Sequence, residues 1–162
     1  MPIRYLVIRL LGVALLLGAS QAGAGSLEIS EAYVREMPPV ARNTAAFMTV
    51  LNTGDVLFTI VGARSAAAAS AELHDHLRDG EVMRMRPVAA VPVPPHDRVR
   101  FEPGGLHVML MDLVAPLVAG QVVEIELLLA NGTRLPVSFP VRSLTDGPAA
   151  STGHGMHEVG KH

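Results

Sequence analysis

Histidine and methionine recur together in two neighbouring segments of the sequence, ELHDHLRDGEVMRM (residues 72–85) and GGLHVMLM (residues 104–111). Side chains two apart on a β-strand share one face of that strand. Three strands drawn from these segments would therefore each present a face of His or Met. The residues on those faces are His74 with His76, Met83 with Met85, and His107 with Met109 and Met111. If the three strands are neighbours, these faces converge on one site.

This set of donors has a definite metal preference. Thioether sulfur is a soft, uncharged donor that suits Cu(I) and binds Zn²⁺, Mg²⁺ or Ca²⁺ poorly, whereas imidazole binds copper in either oxidation state. A set of His and Met without thiolate or carboxylate therefore predicts Cu(I) rather than Zn²⁺. Electron transfer of the blue-copper kind is disfavoured, because it needs a Cys thiolate and the sequence contains no Cys.

Some of these side chains have another reading. A Met on a strand is commonly core filler, and this is the expectation for Met48 within AAFMTVL. His76 stays open between facing solvent beside the site and joining it. Glu72 and Asp75 both lie close to His74 in the sequence, and either carboxylate could orient its imidazole from outside the ligand set.

Composition limits the classes of protein to which the chain can belong. Its 162 residues amount to about one domain, and a hydrophobic content of 49% is sufficient for a packed core. The formal net charge is -2 and the aromatic content is 4%. Since neither a basic excess nor a set of stacking aromatics is present, no nucleic-acid partner is expected.

The first 24 residues are predicted to be a secretory signal peptide. Arg4 and Arg9 provide a positive region, residues 10–17 form an apolar run, and Ala22-Gly23-Ala24 has the pattern of a signal-peptidase site. The apolar run is too short to span a bilayer. We therefore expect export to the periplasm, with no membrane span after signal cleavage and, without Cys, no lipid attachment at the cleavage site.

Short runs of alternating apolar and polar residues, separated by turn residues, predict an all-β sandwich or barrel over residues 25–143. Hairpin turns are predicted at residues 52–55 (NTGD), at Asp79-Gly80 and at Asn131-Gly132. Residues 66–71 (AAAASA) could form one helical turn. Residues 144–162 are small, polar and Gly-rich, and are predicted to be a flexible, disordered tail.

The spacing of the His and Met residues resembles that of the periplasmic copper chaperones called PCu(A)C. Their pattern is His, ten residues, Met, twenty-one residues and His-x-Met, and it runs without a gap through His74, Met85, His107 and Met109. The flanking text ELHDH, VMRMRPV and EPGGLHVMLMDL is also similar to that family. The resemblance covers about residues 26–141.

The resemblance implies a cupredoxin-like Greek-key β-sandwich or barrel in which His74, Met85, His107 and Met109 form an exposed Cu(I) site at the surface. It also implies delivery of copper to the copper-binding subunit of cytochrome c oxidase, or to another copper chaperone. Some members hold Cu(II) in a C-terminal extension rich in His and Met. In this chain the corresponding candidates for a Cu(II) site lie in the tail: His154, Met156, His157 and His162.

Three other readings of the same residues stay open. The chain could buffer copper for resistance without a dedicated acceptor, or it could be a copper-dependent redox enzyme. It could also be a structural β-sandwich in which the His and Met pattern is accidental. Delivery needs no proton-transfer pair or nucleophile, and none is evident in the sequence, so we do not expect an enzyme.

Overall fold

The computed structural model describes residues 26–80 and 82–143. The predicted signal peptide, residues 1–24, and the predicted tail, residues 144–162, lie outside the described residues. Within these ranges the chain forms ten β-strands and no helix, so no helix there is long and apolar enough to cross a membrane. The strands are β1 Leu27–Arg35, β2 Thr44–Asn52, β3 Phe58–Arg64, β4 Ala68–Asp79, β5 Val82–Pro87, β6 Val91–Val93, β7 Arg98–Phe101, β8 His107–Leu113, β9 Val122–Leu129 and β10 Arg134–Arg142.

The strands form two layers. The first sheet has the order β5-β4-β8-β2-β1, with β7 also pairing with β2, and the second has the order β10-β9-β3-β6. A short parallel pairing of β1 with β10, through Val34↔Val141 and Arg35↔Arg142, joins the two. The two sheets joined in this way do not close into a barrel. The all-β prediction is confirmed, and the open sheet makes the fold a sandwich rather than a barrel.

Alternating residues of both sheets build the core between the layers. In β9 the residues Val123, Ile125 and Leu127 are buried, and the residues between them are more accessible to solvent. They pack with Phe139 from β10 and with Met48 from β2 in one hydrophobic cluster. The expectation that Met48 is core filler is therefore confirmed.

A bulge in β1 changes which residues of that strand face the core. The register with β2 shifts between Ser30 and Tyr33, and Glu31 adopts a positive φ of 54°. Before the bulge Ile29 packs against the core, and after it Val34 does. Because a bulge adds one residue to the strand, Tyr33 is turned to the outer face of the first sheet.

Two of the three predicted hairpins are present. Strands β4 and β5 pair around Gly80, and β9 and β10 pair around Gly132. Both glycines have a positive φ, 66° and 85°, which glycine adopts without steric cost. These turns therefore have the residues that their backbone conformation requires.

The hairpin predicted at residues 52–55 is wrong, because β2 pairs with β1, β7 and β8 while β3 belongs to the second sheet. The connection is instead a corner held by the fully buried Asn52. Its Nδ2 donates to the carbonyl oxygens of Val56 and Val93, at 2.7 and 3.0 Å, and its Oδ1 accepts from the Gly54 amide at 2.9 Å. An Asn side-chain amide that bonds the nearby backbone stabilises a hairpin turn and a corner between two sheets equally.

The helical turn considered for residues 66–71 is also wrong, because β4 already begins at Ala68 and pairs there with Leu113 of β8. Ala68 is buried in the core. Pairing and burial supplied by the sheet override the helix propensity of a short alanine run. Strand β6, Val91–Val93, was not among the predicted strands; it is three residues long.

Candidate metal centre

Three adjacent strands bring the predicted metal ligands to one face of the first sheet. Strand β4 lies between β5 and β8. His74 pairs directly with His107 of β8, and His76 pairs with Met85 of β5. Met109 lies two residues after His107 and therefore shares its face. The expected convergence of the three strand faces is thus present in the register.

The imidazole of His107 is buried, with an exposed fraction of 1%. Its Nδ1 lies 2.9 Å from the carbonyl oxygen of Gly105. A carbonyl oxygen only accepts hydrogen bonds, so Nδ1 carries the proton and donates it. In the neutral ring, Nε2 then carries the free lone pair. That nitrogen is buried and has no hydrogen-bond partner among the described residues.

His74 shows the complementary arrangement. Its Nε2 lies 3.2 Å from Oε2 of Glu72, whose carboxylate accepts the hydrogen bond. The free lone pair is therefore on Nδ1, which is buried and unpartnered within the described part of the chain. Of the two carboxylates considered from the sequence, Glu72 is the one in contact, because it lies two residues from His74 on the same face. Asp75 is adjacent in sequence and belongs to the opposite face.

The two unpartnered nitrogens are suited to bind a metal ion that prefers imidazole ligands. The rings of His74 and His107 are 5.8 Å apart between centroids. Buried polar atoms normally have partners, and a buried acceptor without one costs about 1–3 kcal/mol. Each nitrogen is the one left free by a hydrogen bond on the other side of its ring, which is how outer partners select the ligating nitrogen of His.

Burial lowers the pKa of the His107 imidazole below its ordinary value, and the nearby His76 and His74 lower it further. The hydrogen bond to the Gly105 carbonyl opposes this shift without cancelling it. The effect keeps the ring neutral, which is the form that binds a metal. His107 therefore keeps its lone pair available to lower pH than an exposed His would.

The thioethers lie on either side of the two imidazoles. Met85 is exposed over 44% of its surface, while Met109 is half-buried. The predicted site was expected at the surface. In the structure the imidazoles of the site are instead largely buried, and the site reaches solvent chiefly at Met85. Across residues 26–80 and 82–143, His, Asp and Glu form no group of three or more that could hold a metal ion.

An aromatic wall beside the imidazoles was not predicted. Phe47 is 4% exposed, and its ring lies 6.3 Å from His107 and 5.2 Å from Tyr33. These two rings, with Arg142 over Tyr33, line a cavity of about 570 Å³ next to the site. The sequence did carry a signal: AAFM at residues 45–48 is apolar without alternation, which indicates a strand covered on both faces.

The tail candidates His154, Met156, His157 and His162 lie outside the described residues. Their assignment as a Cu(II) site stays a prediction.

Comparisons with known proteins agree with this architecture. The model of the LpqE-like family, described as "Putative lipoprotein LpqE-like", matches residues 27–141. The protein Lxx21020 of Leifsonia xyli subsp. xyli (strain CTCB07), which also carries a lipoprotein name, is 34% identical over 145 residues that cover 86% of each chain.

Solved structures are similar over the same region. The solution structure of Cu(I)-DR1885 from Deinococcus radiodurans is 33% identical, with a TM-score of 0.60, and covers 77% of this chain and 83% of its own. The copper-bound PCuAC domain of PmoF2 is 23% identical, with a TM-score of 0.62, and covers 72% and 92%. The resemblance to PCu(A)C domains is thereby confirmed for the fold, which is cupredoxin-like. The chain belongs to the LpqE-like family.

Proposed function

We propose that the chain is an exported copper chaperone that binds Cu(I) through His74, Met85, His107 and Met109. The observation that carries the proposal is the pair of buried, unpartnered nitrogens, His74 Nδ1 and His107 Nε2, on directly paired residues of adjacent strands. Two neutral nitrogens flanked by thioethers are a soft set of donors, and such a set favours Cu(I) over Zn²⁺.

The relatives support the choice of copper. DR1885 was solved with Cu(I) and is 33% identical to this chain, and the PmoF2 domain was solved with copper bound. The donor types themselves, soft thioethers with imidazoles, favour the same metal. Copper is here the cargo of the protein, so the site must release it as well as hold it.

The burial of the ligands indicates an order of release. His107 is 1% exposed and the His74 side chain 13%, whereas Met85 is 44% exposed on the edge strand β5. An acceptor that approaches from solvent meets Met85 first. The thiolates of such an acceptor bind copper more strongly than the thioether of Met85 does. Met85 is therefore displaced first, and the buried imidazoles leave the copper last.

The acceptor we propose is the copper-binding subunit of cytochrome c oxidase, with another copper chaperone as the alternative. The supporting argument is the resemblance of the four ligand positions to PCu(A)C, together with a signal-peptide pattern at residues 1–24 that would place the chain in the periplasm. On this proposal the tail residues His154, Met156, His157 and His162 hold Cu(II).

Copper buffering without an acceptor uses the same ligands and is the second candidate. It would predict that loss of the chain sensitises cells to copper excess. Delivery predicts instead that loss lowers oxidase activity under copper limitation and that added copper restores it. An intact oxidase activity in copper-limited cells without the chain would decide for buffering. A redox enzyme would show steady turnover when loaded with copper.

The site itself is tested by titrating residues 25–162 with Cu(I), anaerobically, against a competing chelator. Replacing both Met85 and Met109 with Leu removes the sulfur atoms at nearly constant volume. We expect the parent to bind one tight equivalent and the double variant to lose it. Met83→Leu is the matched control, because Met83 is an exposed Met on the same strand as Met85. Binding that is indifferent to the double replacement would refute the site.

A further inference from the structure

A third imidazole, that of His76, lies beside the proposed site without belonging to its motif. His76 is the residue of β4 that pairs directly with Met85 of β5. Its ring centroid is 5.1 Å from that of His107, closer than the 5.8 Å between His74 and His107. His76 therefore stands between the buried His107 and the exposed Met85.

His76 is only weakly held in this position. Its Nδ1 lies 3.4 Å from the carbonyl oxygen of Gly105, at the outer limit for a hydrogen bond. The same oxygen already accepts the 2.9 Å bond from His107 Nδ1. The ring of His76 is half-buried. A rotation of the His76 side chain therefore breaks only this one weak hydrogen bond to Gly105.

The two neighbours, His76 and Met85, differ in the oxidation state that they prefer. A thioether suits Cu(I), while imidazole nitrogen suits Cu(II), which favours tetragonal nitrogen and oxygen sites. Residues directly opposite on paired strands have Cβ atoms about 5 Å apart, so either side chain can turn to the same metal ion. The pair thus offers one soft and one harder donor from the same point of the sheet.

We propose that the core site also holds Cu(II), and that His76 replaces Met85 as a ligand when the bound copper is Cu(II). The Cu(II) ligands are then the imidazoles of His74, His76 and His107. The three rings do not form a ready-made metal group in the described residues, so His76 rotates toward the other two when the metal binds. This inference rests on the proposed copper site and extends its range of oxidation states.

The test uses residues 25–162 with His154, His157 and His162 changed to Gln, so that the tail supplies no imidazole. Cu(II) is added to one equivalent, its affinity is measured by competition, and its ligands are followed by electron paramagnetic resonance. His76→Gln is compared with His96→Gln, a control whose side chain is 64% exposed and paired with Asp55 elsewhere. Met85→Leu is the second test variant.

We expect His76→Gln to lower the Cu(II) affinity by at least about tenfold, as losing even an outer partner of a ligand does, and to change the nitrogen couplings. Its Cu(I) affinity should stay close to that of the parent. Met85→Leu should do the opposite, weakening Cu(I) and leaving the Cu(II) spectrum unchanged. His96→Gln should match the parent in both states.

An unchanged Cu(II) spectrum and affinity in His76→Gln would overturn the inference, as would an equal loss of both oxidation states. These outcomes are distinct from failure of the copper site itself. That failure would appear as Cu(I) binding that is indifferent to Met85 and Met109.

Discussion

The hydrogen bond from His74 to Glu72 makes a quantitative prediction about copper affinity. Replacing Glu72 with Ala removes the carboxylate that accepts from His74 Nε2 at 3.2 Å. The proton of the imidazole is then free to move to Nδ1, the nitrogen that we assign to the metal. A fraction of the protein must therefore change tautomer before it binds Cu(I), and the apparent affinity falls.

The structure places the size of the effect at the low end of the usual range. Removing an outer partner of a metal-binding His commonly costs about 10–100-fold in affinity. The Glu72 side chain is 48% exposed, so water can take over as acceptor in the variant. We therefore expect a loss of about tenfold, equivalent to about 1.4 kcal/mol.

The assay is an anaerobic Cu(I) competition titration, combined with nitrogen NMR of the imidazoles in the metal-free protein. Glu72→Gln keeps an acceptor oxygen and should bind Cu(I) nearly as the parent does. Glu28→Ala removes an exposed carboxylate from β1 and is the matched control. The reasoning fails if Glu72→Ala binds Cu(I) like the parent, or if His74 in the parent carries its proton on Nδ1.

Two further predictions concern stability. The metal-free protein should lose stability as the pH falls below about 6.5, because burial holds the pKa of His107 below its unfolded value and the unfolded chain takes up the proton first. Thermal melts from pH 8 to 5 should show a shallower decline in His107→Gln, and an identical decline would contradict this. Asn52→Ala should lower the free energy of unfolding by about 1–3 kcal/mol, because the carbonyl oxygens that accept from the buried Asn52 side chain lose their hydrogen-bond donor. Urea titration measures this. Asn131→Ala, which removes a cap from an exposed turn, should cost less, and equal losses would count against the buried corner.

Local patterns in the sequence were sufficient for the class of fold and the candidate ligands. Alternation at period two predicts strands, and Asp79-Gly80 and Asn131-Gly132 predict the two hairpins that form. These features depend on residues close together in the chain. The ligand candidates also followed from residue type, because the softness of a donor is a property of the side chain alone.

The two wrong predictions about the fold, at residues 52–55 and 66–71, have a common cause. The NTGD turn at residues 52–55 has hairpin chemistry, yet the chain after it crosses to the other sheet. The same turn residues serve both outcomes, and the choice depends on which layer buries the next strand. From Ala68 onward the alanine run is strand, because β8 was available to pair with it.

The sequence by itself determined which donors the chain could offer a metal and that those donors would lie two apart on strands. Only the tertiary structure decided how they are presented. Pairing of β4 with β8 set His74 opposite His107, and the carbonyl of Gly105 and the carboxylate of Glu72 selected which nitrogen of each ring stays free. The bulge in β1 and the burial of Phe47 closed one side of the site and left Met85 as its exposed member. The pairing of His74 with His107 and the ring contacts of Phe47 join residues far apart in the chain, so no local pattern encodes them. The hydrogen bonds to Gly105 and Glu72 each join residues only two apart, and the strand that carries each imidazole sets its direction.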